Sequence, residues 1–285
     1  MALARLDGKR CLITGATSGI GEETALGLAR LGAELILVAR SEARAQATRE
    51  RIRNEAGSEA VEVMSADLAS FASIRDFARE FRARHDSLDL LVNNAGMVGI
   101  KYAETVDGIE QVFAVNHLAP FLLTNLLLEP LKSAAPARVV NVASTMHRFA
   151  KMNFDDPGLK SGYSGWTSYN QSKLANILFT KELARRLEGT GVTVNAVHPG
   201  GVATRLGHNN GRGAVVFTKI AAPFLRTPAQ GAKTSIHVAA SPDLDGVTGE
   251  YFANERRARA SRAANDAAAA ERLWELSARM TGLAS

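Results

Sequence analysis

The stretch SYNQSK places Tyr169 and Lys173 four residues apart. On a helix those two side chains stand one turn apart on the same face. A lysine cation beside a phenol lowers the phenol pKa from its usual value of about 10, which would give a proton donor and acceptor usable near neutral pH. The ordinary alternative is a tyrosine packed over a lysine stem, so the rest of the sequence has to decide. Tyr163 lies close by, but position 167 is Thr, and no lysine follows it at the next turn.

A second group of residues suits phosphate. The run TGATSGIG, residues 14–21, follows an apolar strand-like segment and leads into a helical pattern. Gly15, Gly19 and Gly21 allow a tight turn and close backbone approach to a pyrophosphate, which the helix N-terminus attracts. Ser18 and Ile20 belong to the same cofactor-binding loop. About 20 residues on, where an acid would bind ribose hydroxyls, the chain reads VARSEAR. Ala39 and Arg40 stand there, and a guanidinium clamps a 2′-phosphate. Arg44, one turn later, could assist. The pattern prefers NADP(H) and leaves NAD(H) open.

The elements that must position these residues are short apolar strands alternating with helical stretches. Strands are expected at 10–14, 34–39, 61–66, 89–92, 137–143, 192–197 and 250–253, about seven in all. Helical periodicity covers 19–31, 41–56, 70–85, roughly 105–131, and 166–187. Near-continuous apolar strands with helices between them mean a parallel sheet covered on both faces. The expected fold is therefore α/β: one Rossmann-type, doubly wound domain spanning 1–285. The tail at 255–285 is expected to form a helix docked by Leu273, Trp274 and Leu276.

Composition narrows the function classes. The 285 residues carry a net charge of +5, yet the basic helical segments at 40–53 and 255–272 are interspersed with acids and poor in aromatics, which argues against nucleic acid. No stretch is long and apolar enough for a membrane span, and PFLLTNLLLEP at 120–130 reads as a buried helix. The start, MALARLDGKR, has no secretory h-region. The single cysteine, Cys11, excludes a disulfide framework, and a cytoplasmic setting is expected. The six histidines show no metal spacing, so no metal is expected, and His117 and His198 read as packing or hydrogen-bonding residues rather than ligands. Asn170-Gln171-Ser172 matches a glycosylation sequon but falls inside the expected catalytic helix.

TGxxxGIG, NNAG at 93–96, YxxxK at 169–173 and PGxVxT at 199–204 occur in the order of the short-chain dehydrogenase/reductase family, which the sequence resembles over most of its length. SYNQSKLANILFTKELARRL, GVTVNAVHPG and ERLWELSARMTGL resemble its retinol-dehydrogenase-like branch. The resemblance implies that Asn116, Ser144, Tyr169 and Lys173 form the catalytic set. It further implies that Asp67 and Leu68 hold the adenine, and that Asn94, Ala95 and Gly96 pass the cofactor ribose. Tyr169 and Lys173 would also touch the cofactor, as would Pro199, Gly200, Val202 and Thr204, the last at the nicotinamide carboxamide. Asn116 would support a water path, on the family's pattern.

The resulting expectation is an oxidoreductase that interconverts a carbonyl compound and an alcohol. His147, Phe149, Met152, Phe154 and Trp166 lie between Ser144 and Tyr169, and an apolar stretch follows Thr204. Together they suggest a lid around 205–226 over an apolar pocket, hence a lipophilic, retinoid-like or steroid-like substrate. A homodimer or homotetramer remains open. The contrasting reading is a nucleotide-binding sensor or scaffold without catalysis, which would be expected to lose part of the catalytic set.

Overall fold

Strand β1 (Arg10–Thr14) has one partly buried residue at its start and four buried ones after it, so it needs cover on both faces. It pairs in parallel with β2 (Glu34–Ala39) on one side and with β4 (Leu90–Asn93) on the other. Strands β3 (Val61–Ser65), β5 (Ala137–Val142), β6 (Val192–His198) and β7 (Tyr251–Ala253) extend the sheet in parallel. The order is β3-β2-β1-β4-β5-β6-β7, with a short β8 (Arg256–Arg257) outside β7, and it reverses direction between β1 and β4. A crevice at the strands' carboxyl ends forms at such a reversal. This computed structural model describes residues 2–201 and 226–283.

The eighth strand was not expected. β8 (Arg256–Arg257) returns antiparallel onto β7 through Asn254 and Glu255, whose φ values of 55° and 60° make a tight hairpin turn.

Two helical layers cover the sheet. On one face lie α1 (Gly19–Arg30), α2 (Glu42–Ala56) and α8 (Pro228–Ala240). A Cβ added at Gly27 of α1 would lie 2.3 Å from Ile236 of α8, so a glycine sets the closeness of that pair. The other face carries α3 (Phe71–Arg84), α5 (Ala119–Leu126), α6 (Leu128–Ser133), α7 (Gly165–Arg186) and α9 (Ala267–Thr281). Burying a Phe or Leu side chain contributes about 1.5–3 kcal/mol each, and Phe77, Phe81, Phe121 and Leu122 are all fully enclosed here.

The expected helix over 105–131 is broken. A single turn, α4 (Gln111–Phe113), runs into a π-helical turn at Ala114–Leu118 before α5 begins. Pro120 explains the interruption: it has no N–H for the carbonyl of Asn116 four residues back, and its ring crowds that carbonyl. The expected tail helix also starts late, at Ala267, where the Asp266 side chain accepts from the amide of Ala269. Leu273 is buried as expected, and Trp274 packs edge-on against Phe121 at 4.9 Å under the Arg186 guanidinium. Leu276 is only half-buried. Cys11 is fully buried and its thiol pushed up by burial, which fits an inert group.

His117 joins the π turn to α9. Its ring is fully buried, and Nε2 meets Ser277 Oγ at 2.8 Å. Ser277 donates its own hydroxyl to the Leu273 carbonyl, so His117 is the donor. Burial lowers its pKa from 6.5 to about 3, and burial likewise lowers His198 to about 4. Folded values below the unfolded one mean that the unfolded chain binds more protons as the pH falls. Stability from these rings is complete above about pH 6.5 and is lost as the pH falls toward those folded values. The thermal midpoint is therefore expected to fall by at least about 3 °C between pH 7 and pH 5, a shift that calorimetry resolves. In His117→Gln the fall over that interval should be smaller, even with a lower midpoint at pH 7.

Candidate active site

The carboxyl ends of β1, β4, β5 and β6 bring the expected residues to one edge of the sheet. After β1 the chain turns at Gly15, with φ 65°, and Gly19, with φ 58°, into α1. A Cβ at Gly21 would lie 2.3 Å from the Gly15 carbonyl and 2.4 Å from Asn94 Nδ2, so only hydrogen fits. Asn94 holds this loop by donating from Nδ2 to the carbonyls of Thr14 and Gly15. Thr14 Oγ1 in turn accepts from the amides of Asn94 and Ala95.

The start of α1 differs from those of α2, α3, α7, α8 and α9. Ser41, Ser70, Ser164, Thr227 and Asp266 each cap their helix with a side-chain oxygen, whereas Ser18 makes no cap hydrogen bond and is exposed. Its first-turn amides are left to an outside acceptor, which fits the pyrophosphate of a dinucleotide. Ile20, by contrast, turns into the core. Arg40 is exposed at the end of β2, with Nη1 3.8 Å from the Asp67 carboxylate at the end of β3. Asp67 Oδ1 also accepts from the amide of Ala69, and Leu68 is half-buried beside it.

The π turn aims Asn116 inward. Its Oδ1 accepts from the Met97 amide at 2.7 Å, and its Nδ2 donates to the Met97 carbonyl at 2.9 Å and to Ser172 Oγ at 3.0 Å. The Ser172 hydroxyl donates in turn to the Tyr169 carbonyl at 2.7 Å. A Cβ at Gly96 would stand 3.3 Å from Asn116 Oδ1 and 3.4 Å from Lys173 Nζ, so the NNAG turn lies directly against both.

Ser144 ends the buried run after β5; its Oγ accepts from the Met146 amide at 3.3 Å and stands close enough to the Tyr169 phenol to influence it. His147 braces it from behind: Nδ1 donates to the Ser144 carbonyl at 2.6 Å, and Nε2 accepts from the Ser261 amide at 3.1 Å, which fixes the tautomer. Lys173 is buried, donating to the Val142 carbonyl at 3.0 Å, with Nζ 5.7 Å from the Tyr169 ring centroid.

One expectation needs correcting. Burial raises the Tyr169 phenol above its ordinary range, and the Ser144 hydroxyl opposes this with smaller effect. The lysine is not the group that lowers it. Burial takes the Lys173 amine itself down to about 8, and the amine is turned toward the strand carbonyl.

At the end of β6, Pro199 is buried and Gly200 adopts φ 91°, with Arg226 against it. Val202, Thr204 and almost all of the expected lid at 205–226 lie outside the described residues. No group of three metal-ligating side chains exists among the described residues. No helix among them is long and apolar enough to cross a membrane. Sequence reasoning missed the buried polar ladder in which Asn93 donates to Asn141 and Thr124, and Asn141 to Thr180. It also missed Glu110, Ser172 and Asn176. An asparagine paired in register with another across two apolar strands, as Asn93 is with Asn141, was the available signal.

The profile of the short chain dehydrogenase family matches residues 9–214. Retinol dehydrogenase 14 of Mus musculus is 45% identical over 291 residues, covering 98% of this chain and 87% of its own. Retinol dehydrogenase 12 of Homo sapiens is 43% identical over 279 residues, with 98% and 88% covered. A solved structure of an uncharacterized protein from Mycobacterium paratuberculosis superimposes with a TM-score of 0.81 at 36% identity, covering 98% of this chain and 96% of its own. Pseudomonas aeruginosa RhlG, solved as an NADP active-site complex, gives 0.71 at 27% identity, with 89% and 98% covered. The chain belongs to the short-chain dehydrogenase family, in its retinol-dehydrogenase-like branch. It is an oxidoreductase acting on CH–OH groups, on a fold that binds NAD(P).

Gly21→Ala should therefore weaken nucleotide binding by more than tenfold, measured by quenching of tryptophan fluorescence. It should also lower stability by about 1–3 kcal/mol, since the atoms it meets are backbone and a pinned amide.

Proposed function

We propose that this protein is an NADP(H)-dependent oxidoreductase that interconverts a lipophilic carbonyl compound and its alcohol, with Tyr169 as the acid and base. The observation that carries the reading is the convergence of three groups: the buried Lys173 amine 5.7 Å from the Tyr169 ring centroid, and the buried Ser144 hydroxyl near the same phenol. Bound NADPH would supply the hydride. Tyr169 protonates the developing alkoxide, and Ser144 donates a hydrogen bond to the same oxygen. Lys173 binds the nicotinamide ribose, a role supported by its Nζ lying close beside Gly96 of the NNAG turn. Asn116 holds the Met97 backbone and, through Ser172, the helix that carries Tyr169.

The NADP preference rests on Arg40, whose exposed guanidinium has, among the described residues, only the Asp67 carboxylate as ion-pair partner, at 3.8 Å. The lipophilic substrate rests on the exposed Phe149 and Trp166, which lie within the Ser144-to-Tyr169 segment, and on the names of the relatives. The raised Tyr169 phenol favours the protonated form near neutral pH, which suits carbonyl reduction. Alcohol oxidation needs the tyrosinate, so its rate should climb with pH while reduction declines.

A panel of lipophilic aldehydes and ketones, assayed with NADPH and NADH, tests the reading. Tyr169→Phe should lose at least about 10²-fold in kcat; a variant keeping more than a tenth of wild-type kcat would remove Tyr169 from this role. Tyr163→Phe should leave the pH–rate profile in place, because burial and Glu110 hold that phenol at about 12. Arg40→Ala should lower the NADPH-to-NADH ratio of kcat/KM by about 10-fold or more. An unchanged ratio would overturn the preference.

A further inference from the structure

The carboxylate of Glu110 is buried, at 2% exposure, and no cation pairs with it among the described residues. Four donors surround it instead. Oε1 accepts from the Val112 amide at 2.9 Å and the Tyr163 hydroxyl at 3.1 Å. Oε2 accepts from the Phe113 amide at 2.7 Å and the Ser168 hydroxyl at 3.0 Å. These occupy about all the acceptor positions a carboxylate has. Each pair of donors comes from a different element: the amides from α4, which leads into the Asn116 turn, and the hydroxyls from the entry to α7, which carries Tyr169.

The same junction is closed by backbone contact. The Tyr163 hydroxyl also lies 3.2 Å from the Gly99 carbonyl. A Cβ added at Gly165 would fall 1.8 Å from that carbonyl, so the first turn of α7 sits directly on the loop following NNAG. Ser168 immediately precedes Tyr169. Burying a carboxylate is costly unless its lone pairs are satisfied, so the site makes sense only as a joint between these two elements.

We infer that Glu110 is a positioning residue that locks the N-terminal turn of the Tyr169 helix to the helix start ahead of Asn116. It acts through Ser168 and Tyr163 and touches neither substrate nor cofactor. This gives Tyr163 a part distinct from proton transfer. The inference rests on the proposed role of Tyr169 for its kinetic consequence, though not for its structural one.

Glu110→Gln keeps the shape but offers one acceptor oxygen and turns an NH2 group toward two of the four donors. Amide hydrogen exchange is the first measurement: residues 165–170 should exchange at least tenfold faster in the variant, with the core strand β5 unchanged. The second is kinetic. Turnover should fall at least tenfold while NADPH Kd, measured by fluorescence, stays within twofold. Ser168→Ala, which removes one donor only, should show the same split on a smaller scale, and adding it to Glu110→Gln should bring less than its separate loss. It also serves should Glu110→Gln fail to fold. Unchanged exchange at 165–170 in the folded variant would overturn the inference. So would a loss of kcat that merely parallels weakened NADPH binding and a lowered melting temperature. If the wild-type protein turned over no carbonyl substrate, the catalytic reading would fail alone, and the exchange data would still decide the joint.

Discussion

The side-chain amide of Asn116 is the interaction on which the arrangement of the site depends. It bonds to both the N–H and the C=O of Met97, as a neighbouring strand would, and spends its remaining donor hydrogen on Ser172. The loop after β4, the helix that crosses beneath it and the catalytic helix therefore meet at one planar group. An aspartate in its place could accept from the Met97 amide but would face the carbonyl with a second acceptor. A regular α-helix would aim the residue elsewhere. The π turn, set up by Pro120, rotates it inward.

From this joint the constraint spreads along the sheet. Parallel strands covered on both faces leave only their ends for polar chemistry, and all the expected catalytic side chains follow a carboxyl end or lie on a helix crossing one. Lys173 shows the cost and the use of such placement. Its amine is taken out of water against the Val142 carbonyl, which also accepts from Asn176. Burial favours its neutral form and also favours the protonated phenol of Tyr169. Sequence spacing suggested a cation tuning a phenol, whereas the packing shows two buried groups, each shifted by its own desolvation.

The fold was legible because its signals were local. The strands at 10–14 and 34–39 begin and end where the apolar runs do, and α1, α2, α3 and α7 match their periodicity within a residue or two. The π turn at Ala114–Leu118 was not, since the apolar pattern runs on through it and only Pro120, at the start of α5, marks the missing regular hydrogen bond. The β8 hairpin was missed because its turn is Asn-Glu, with no glycine to mark it. Motif spacing placed Asn116, Ser144, Tyr169 and Lys173 within one connected set of contacts. It could not reveal that Ser172 links two of them or that His147 braces a third, because a serine or histidine acquires such a role only from what it packs against.

Two buried side chains, Glu110 and His147, show what the motif residues require beyond themselves. Each satisfies its polar atoms wholly through neighbouring backbone and hydroxyl groups, and each stands behind a residue of the expected catalytic set. A neutral His147 can donate to the Ser144 carbonyl only while Nε2 remains an acceptor for Ser261, so burial that disfavours its protonation preserves that geometry. A carboxylate at 110 meets the opposite need, gathering donors from two helices with no proton of its own to place. The two supports are matched to the hydrogen-bonding character of what they hold. The hydroxyl-bearing segment at Ser144 is therefore anchored through an acceptor carbonyl, and the tyrosine-bearing helix through its donors.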